Sequence, residues 1–112
     1  MMLLKKHDNL KFYCREDTSD IKAFDEVVVN NSYEKVKFWK KHQKDKPIFK
    51  IFNIDHWIDL GGNCGAFTCL ALSRGATVDC YEPDPFNVRM IKENIKLNKF
   101  KDGYKIYQKA VV

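Results

Sequence analysis

A short glycine-rich stretch carries the residues of this chain whose types and spacing could do chemistry. It reads Asp59-Leu60-Gly61-Gly62-Asn63-Cys64-Gly65, and its first two residues end an apolar run at residues 57–60 that is broken only by Asp59. Glycines at such a turn let the backbone adopt positive φ and lie close to a ligand. A helix that begins directly after the turn would point backbone N–H groups and its positive end at the same place. The stretch therefore predicts a strand, a tight turn and a helix start that hold a ligand.

The acid Glu82 supplies the second half of the pattern, at the end of a predicted strand over residues 77–81. It follows Gly61 by about twenty residues, the separation expected of an acid that accepts hydrogen bonds from ribose hydroxyls. The dinucleotide pattern G-x-G-x-x-G is not met from Gly61, because Asn63 and Ala66 stand where its other two glycines would be. The spacing present is D-x-G-x-x-x-G, and it predicts a nucleoside-binding half-fold.

The two motifs resemble those of class I S-adenosylmethionine-dependent methyltransferases, and in detail those of the FkbM family. The resemblance is carried by residues 59–68, by Tyr81-Glu82-Pro83-Asp84-Pro85-Phe86-Asn87, and by residues 94–98. A weaker likeness upstream extends it to about Lys11. That family typically has alanine where this chain has Gly62. The resemblance implies a Rossmann-like three-layer α/β fold, S-adenosylmethionine as cofactor, and methyl transfer, mostly to oxygen on a small molecule, sugar or lipid.

The resemblance also implies roles for individual residues. The turn from Gly61 to Gly65 would hold the methionine part of the cofactor, Glu82 would hold the ribose, and Asp59 would orient the turn or bind the cofactor's amino group. The predicted cofactor-binding set is Asp59, Gly61, Gly62, Asn63, Cys64, Gly65, Glu82 and Pro83. The catalytic residues stay unknown, because the family's residues that face the methyl group follow a fourth strand, which no position here matches.

The predicted sheet has fewer strands than the seven of the resembling family. The order is strand, helix, strand, helix, strand, and right-handed crossovers place the three strands side by side as 3-2-1. The strand at residues 57–60 would then have an uncovered edge, which favours pairing or aggregation. We therefore expect a fold truncated after the third parallel strand, with self-association or a missing C-terminal half as partner. We also expect these 112 residues alone to be inactive.

The chain is predicted to divide into a lead-in at residues 1–53 and the first half of a Rossmann-like methyltransferase domain at residues 54–112. Alternating apolar residues predict a half-buried strand at residues 10–14. Ser19 or Asp20 is predicted to cap a short helix that ends in extended structure at Val27-Val28-Val29. The other predicted elements are helices at 33–43, 66–74 and 86–97 and strands at 57–60, 77–81 and 104–112.

The composition of the chain does not determine its binding partner. The net charge of +5 permits an acidic partner without requiring one. Lysines between residues 35 and 50 support the alternative of a nucleic-acid methyltransferase fragment, although arginine, which makes the bidentate contacts to phosphate and guanine, is scarce. A further alternative is a non-catalytic cofactor-binding module or half of a split protein.

The cysteines and the N-terminus bear on the compartment. The four cysteines lack metal-ligand spacing, and we expect them to be small buried side chains in a reducing compartment. The apolar residues 1–4 are too few for a signal peptide or a membrane span. A cytoplasmic protein without a metal site or a membrane partner is therefore expected.

Overall fold

The structure, a computed structural model, describes residues 1–30 and 51–111. Its strands are β1 (Met2–His7), β2 (Leu10–Arg15), β3 (His56–Leu60), β4 (Thr77–Tyr81) and β5 (Tyr104–Tyr107). Its α-helices are α1 (Asp20–Phe24), α2 (Ala66–Ser73) and α3 (Pro85–Leu97), and a π-helical segment, Asp25–Val29, follows α1. The helix predicted at residues 33–43 lies outside the described residues.

Strands β3, β4 and β5 form a parallel sheet in that order. Trp57 pairs with Val78, and Val78 pairs with Tyr104. The predicted Rossmann-like α/β class and strand order are confirmed. The third strand was predicted too long, because β5 ends at Tyr107. The N–H of Lys109 donates to the Tyr107 carbonyl at 3.0 Å, and this tight bend ends the ladder.

The two faces of this sheet differ in how far their side chains are buried. The crossovers through α2 and α3 run in the same direction, so both helices lie on one face. Alternate β4 residues, Val78 and Cys80, point to that face and are 1% and 0% exposed. On the other face Ile58 and Leu60 are each 61% exposed, and the rings of Tyr81 and Tyr107 stack at 4.7 Å.

Strands β1 and β2 form an antiparallel hairpin that the sequence reading recognised only in part. The predicted strand at residues 10–14 is confirmed as β2, with its apolar side chains Leu10, Phe12 and Cys14 buried. Strand β1 was missed. His7 pairs with Leu10 across the two-residue turn Asp8-Asn9, where Asp8 has φ 52°. Asp and Asn tolerate that conformation and favour such hairpin turns, so this dipeptide was the available signal.

The segment after β2 is helical over a longer stretch than expected. The predicted helix is confirmed as α1, but extended structure at Val27-Val28-Val29 was wrong. These residues continue as a π-helix, in which the N–H of Asn30 donates to the Asp25 carbonyl at 2.8 Å. The π-helical conformation places Val27 and Val28 in the core, and the gain from burying them outweighs their preference for extended structure. Neither Ser19 nor Asp20 caps α1 through its side chain.

Asn94 in α3 and Asn98, which caps the C-terminal end of α3, attach the hairpin to the rest of the fold. The backbone N–H of Tyr13 donates to Oδ1 of Asn94 at 2.7 Å, and that of Lys11 donates to Oδ1 of Asn98 at 2.8 Å. The side-chain amides of Asn94 and Asn98 return bonds to the carbonyls of the same two residues, at 3.3 and 2.7 Å. Asparagines four residues apart on one helix face thus pair with alternate residues of β2, as a neighbouring strand would.

Candidate functional site

The glycine turn is anchored on the neighbouring strand. The N–H groups of Gly61 and Gly62 both donate to the carbonyl of Tyr81, at 2.8 and 3.1 Å. The N–H of Gly65 donates to the carbonyl of Gly62 at 2.9 Å. The expectation that these N–H groups point at a ligand is therefore corrected, because those of Gly61 and Gly62 hold the turn against the end of β4 and that of Gly65 closes the turn on itself.

Two glycines of the turn need their conformation for different reasons. Gly61 has φ 73°, and a Cβ atom there would meet nothing within 4 Å, so this residue forms an open flank of the turn. Gly65 has φ 94°, and its Cβ would lie 3.2 Å from the Cα atom of Ile91. The absence of a side chain at Gly65 lets the backbone of α3 pack directly on the turn.

The carboxylate of Glu82 joins the second motif to the first. It is 5% exposed, and its Oε1 accepts a hydrogen bond of 2.8 Å from the N–H of Asn63. Its Oε2 accepts bonds from the N–H of Asp84 at 2.9 Å and from the amide of Asn87 at 3.4 Å. A carboxylate has about four acceptor positions, so one on Oε1 is left for a further donor. The turn and the acid therefore form one polar unit at the carboxyl ends of β3 and β4.

Asp59 lies on the inner side of the turn. Its Oδ2 accepts a hydrogen bond of 2.7 Å from Oγ1 of Thr68 in α2, and Sγ of Cys80 lies 3.9 Å away. Burial raises the pKa of Asp59 above its usual value; the Thr68 bond opposes this shift and the charge of Glu82 adds to it. Asp59 thus ties the end of β3 to the first turn of α2.

Cys64 and Pro83, also in the predicted set, differ from the rest. The side chain of Cys64 is fully buried, and burial raises the pKa of its thiol to about 12. The thiol therefore lies in the core, and the Cys64 carbonyl accepts a bond from the amide of Asn94 at 3.1 Å. Pro83 is exposed directly after Glu82. Burial of Cys14 and Cys80, with pKa values of about 11, confirms that these cysteines are internal side chains.

Sequence reasoning missed four residues that support the site: Arg15, Asp20, Asn87 and Asn94. The two asparagines stand inside the segments that carry the resemblance, and their polar character within an apolar helix pattern was a usable signal. Arg15 and Asp20 pair with each other only five residues apart, but nothing in the local sequence indicates that Arg15 also reaches Asn87, 72 positions away.

Two kinds of feature are absent from residues 1–30 and 51–111. Within those ranges no three His, Cys, Asp or Glu side chains are grouped as a metal site would require. No helix in the same ranges has the length and apolar character needed to cross a membrane.

Comparison with known proteins finds likeness in three dimensions only. No protein-family model and no curated protein matches the sequence. Pyrococcus horikoshii TYW2 in complex with MeSAdo superposes with a TM-score of 0.61 at 16% identity, over 97% of this chain and 36% of that one. A Pyrococcus abyssi tRNA (uracil-54, C5)-methyltransferase in complex with S-adenosyl-L-homocysteine gives 0.59 at 13% identity, over 94% and 23%. The complex of aTrm5 with tRNALeu gives 0.58 at 12% identity, over 96% and 28%.

These comparisons confirm the class of fold. The chain has the Rossmann-like fold of methyltransferases, and it spans between about a quarter and about a third of the length of these three structures. At such low identity the likeness concerns the fold alone. Membership of the FkbM family stays a prediction, as do the predicted site residues.

The fold also explains the glycine that departs from the resembling family. A Cβ atom at Gly62 would lie 2.3 Å from Sγ of Cys80 and 3.0 Å from Cδ1 of Ile91. The space that an alanine methyl would need is occupied by the thiol. Gly62 and Cys80 therefore form a complementary pair in this chain.

We predict that Gly62→Ala lowers the free energy of unfolding by about 1–3 kcal/mol, because overpacking forces the turn away from β4. Cys80→Ala removes the clashing sulfur, and the double variant is expected to recover most of the loss. Urea unfolding of the two single variants and the double variant measures the coupling between the residues. Additive losses would show that the pair is not complementary.

Proposed function

We propose that the chain is the cofactor-binding part of an S-adenosylmethionine-dependent methyltransferase of FkbM type. The observation that carries the proposal is the 2.8 Å hydrogen bond from the N–H of Asn63 to Glu82. It joins the glycine turn and the ribose acid, two motifs about twenty residues apart, into one polar unit. Two of the structures of like fold hold a related compound, MeSAdo or S-adenosyl-L-homocysteine, which supports the choice of cofactor.

In this proposal each part of the site has a separate task. The open flank at Gly61 receives the methionine part of the cofactor, and the remaining acceptor position of Glu82 receives a ribose hydroxyl. Asp59 keeps the turn in register with α2 through Thr68. The cofactor supplies an activated methyl group, and the residues named here bind and orient it. The proposed unit is residues 54–112, with residues 1–53 as lead-in.

The methyl acceptor is proposed on weaker grounds. The FkbM resemblance favours oxygen on a small molecule, sugar or lipid. A second candidate is a nucleic-acid acceptor, favoured by the net charge of +5 and by two structures of like fold whose names refer to tRNA. The lysine-rich residues 35–50 that first suggested it lie outside the described residues. Binding of tRNA that falls steeply with added salt would support this candidate.

Calorimetry with S-adenosylhomocysteine tests the cofactor assignment. Glu82→Ala is expected to weaken binding by about 1–3 kcal/mol, because ribose hydroxyls would lose a charged acceptor. Glu93→Ala is the matched control, since Glu93 is an exposed acid on α3, and it should bind as the parent chain does. Equal affinity of the Glu82 variant and the parent would overturn the assignment. Tighter binding of NAD than of S-adenosylhomocysteine would redirect it to a dehydrogenase.

A further inference from the structure

An ion pair between β2 and α1 lies close to the proposed site. The Nε of Arg15 donates to Oδ2 of Asp20 at 2.8 Å, and its Nη2 donates to Oδ1 at 3.0 Å. The backbone N–H of Arg15 also reaches Oδ2, at 3.0 Å, and the Asp20 side chain is 0% exposed. Burial opposes ionisation of Asp20, but the hydrogen bonds from Arg15 outweigh it and lower its pKa. The guanidinium of Arg15 is therefore held in one place by a buried, bidentate partner.

The same guanidinium determines which way a neighbouring amide faces. Its Nη2 donates to Oδ1 of Asn87 at 2.7 Å. Because a guanidinium only donates, it requires the oxygen end of that amide. The NH2 end is then left facing Oε2 of Glu82, at 3.4 Å, and a carboxylate only accepts. Both neighbours therefore require the same orientation of the Asn87 amide. In it the oxygen accepts from Arg15 and the NH2 group donates to Glu82.

We infer that Arg15, held by Asp20, is a positioning residue for Glu82 and acts through the amide of Asn87. The inference rests on the proposed function, since it concerns the acid that would bind the ribose. Its consequence is that the N-terminal hairpin contributes to the cofactor site. Together with the N–H of Asp84, the Asn87 amide at Oε2 fixes the plane of the carboxylate, so that Oε1 keeps its bond to Asn63 and its remaining acceptor position.

The substitution Asn87→Asp replaces the NH2 group that donates to Glu82 by a carboxylate oxygen, which accepts. An aspartate still accepts from Arg15, but it places a second carboxylate beside Glu82. The other charged groups near the pair are Arg15, which donates to residue 87, Asp84, whose N–H donates to Glu82, and Asp59, whose pKa is raised in part by the charge of Glu82. Position 87 lies in the first turn of α3, where an acid is favourable, so the variant is expected to fold.

We expect Asn87→Asp to weaken binding of S-adenosylhomocysteine about tenfold at pH 8, the effect of losing a charge-assisted hydrogen bond. The loss relative to the parent chain should shrink toward pH 5. As the pH falls, one acid of the pair takes up a proton and can then donate to the other. Calorimetry of parent and variant at each pH measures the difference. A loss that does not change with pH would indicate a merely structural role and overturn the inference.

A second measurement needs no cofactor. The amide proton resonances of Asn63 and Asp84 report their bonds to Glu82, and Arg15→Gln is expected to move both. Arg89→Gln is the matched control, because Arg89 is an exposed arginine on α3 that lines the same groove as Arg15, and it should move neither. If Arg15→Gln does not fold, the amide proton resonances of Asn63 and Asp84 are measured in Asn87→Asp instead, where both are also expected to move. Unmoved resonances in the folded variant refute the positioning role. Failure of the parent chain to bind S-adenosylhomocysteine refutes the proposed function alone. The resonances still test whether Arg15 positions Glu82 through Asn87.

Discussion

Replacing Gly65 by alanine is expected to lower the free energy of unfolding by about 2–6 kcal/mol. Two costs add at this position. The residue has φ 94°, which costs a non-glycine residue about 1–3 kcal/mol. The new methyl group would also lie 3.2 Å from the Cα of Ile91, and overpacking against backbone costs about as much again. Since a domain of this size is stabilised by about 5–15 kcal/mol, urea unfolding should show a large fall in the midpoint.

Gly103 offers the matched control. It has φ 87°, but a Cβ there would meet its nearest atom, Cδ2 of Leu72, at an ordinary 3.6 Å. Gly103→Ala should therefore show the conformational cost without the packing cost. Equal losses at the two positions would mean that close packing of α3 on the glycine turn contributes nothing measurable.

Replacing Asn94 by alanine is expected to cost about 3–5 kcal/mol. Its fully buried amide serves the N–H and carbonyl of Tyr13 and the carbonyl of Cys64. Removal would leave one buried carbonyl in the glycine turn unsatisfied, at about 1–3 kcal/mol, and two part-buried backbone groups of the hairpin without this partner, at a smaller cost each. Urea unfolding measures the total loss. Hydrogen exchange at the Tyr13 amide should become faster than the global loss alone explains, because β2 would detach locally.

Asn98→Ala provides the comparison for that experiment. Asn98, the residue that caps the end of α3, makes the same pair of bonds to Lys11, but this end of the contact is exposed. Water can replace the lost amide there, so the cost should stay below about 1 kcal/mol. Similar losses for the two variants would contradict the assigned importance of burial at Asn94.

Local patterns allowed the central part of the fold to be predicted from the sequence. The strands and helices between residues 56 and 107 have short apolar runs, helical periodicity and turn residues, and each lies close to its predicted position. Right-handed crossovers then left one arrangement of β3, β4 and β5. The end of β5 was missed because the apolar residues 110–112 suggested a longer strand than the ladder forms.

The remaining features depend on distant partners. Val27 and Val28 favour strands in isolation, yet burial in the core holds them in a π-helix. The bonds that Arg15 and Asn94 make to residues 72 and 81 positions away have no local signature. Local spacing also could not reveal that a Cβ atom added at Gly62 would lie 2.3 Å from Sγ of Cys80. Sequence could name the candidate acid Glu82 but could not say what holds it.

The four buried thiols give the chain a set of internal reporters of its own motions. Cys14 lies in β2, Cys64 in the glycine turn, Cys69 in α2 and Cys80 in β4. Burial raises the pKa of each, so little thiolate exists at neutral pH in the closed molecule. An alkylating reagent therefore reacts only when the element that holds a given thiol opens. The order in which the four are modified would show whether the hairpin opens before the parallel sheet, without introducing any label.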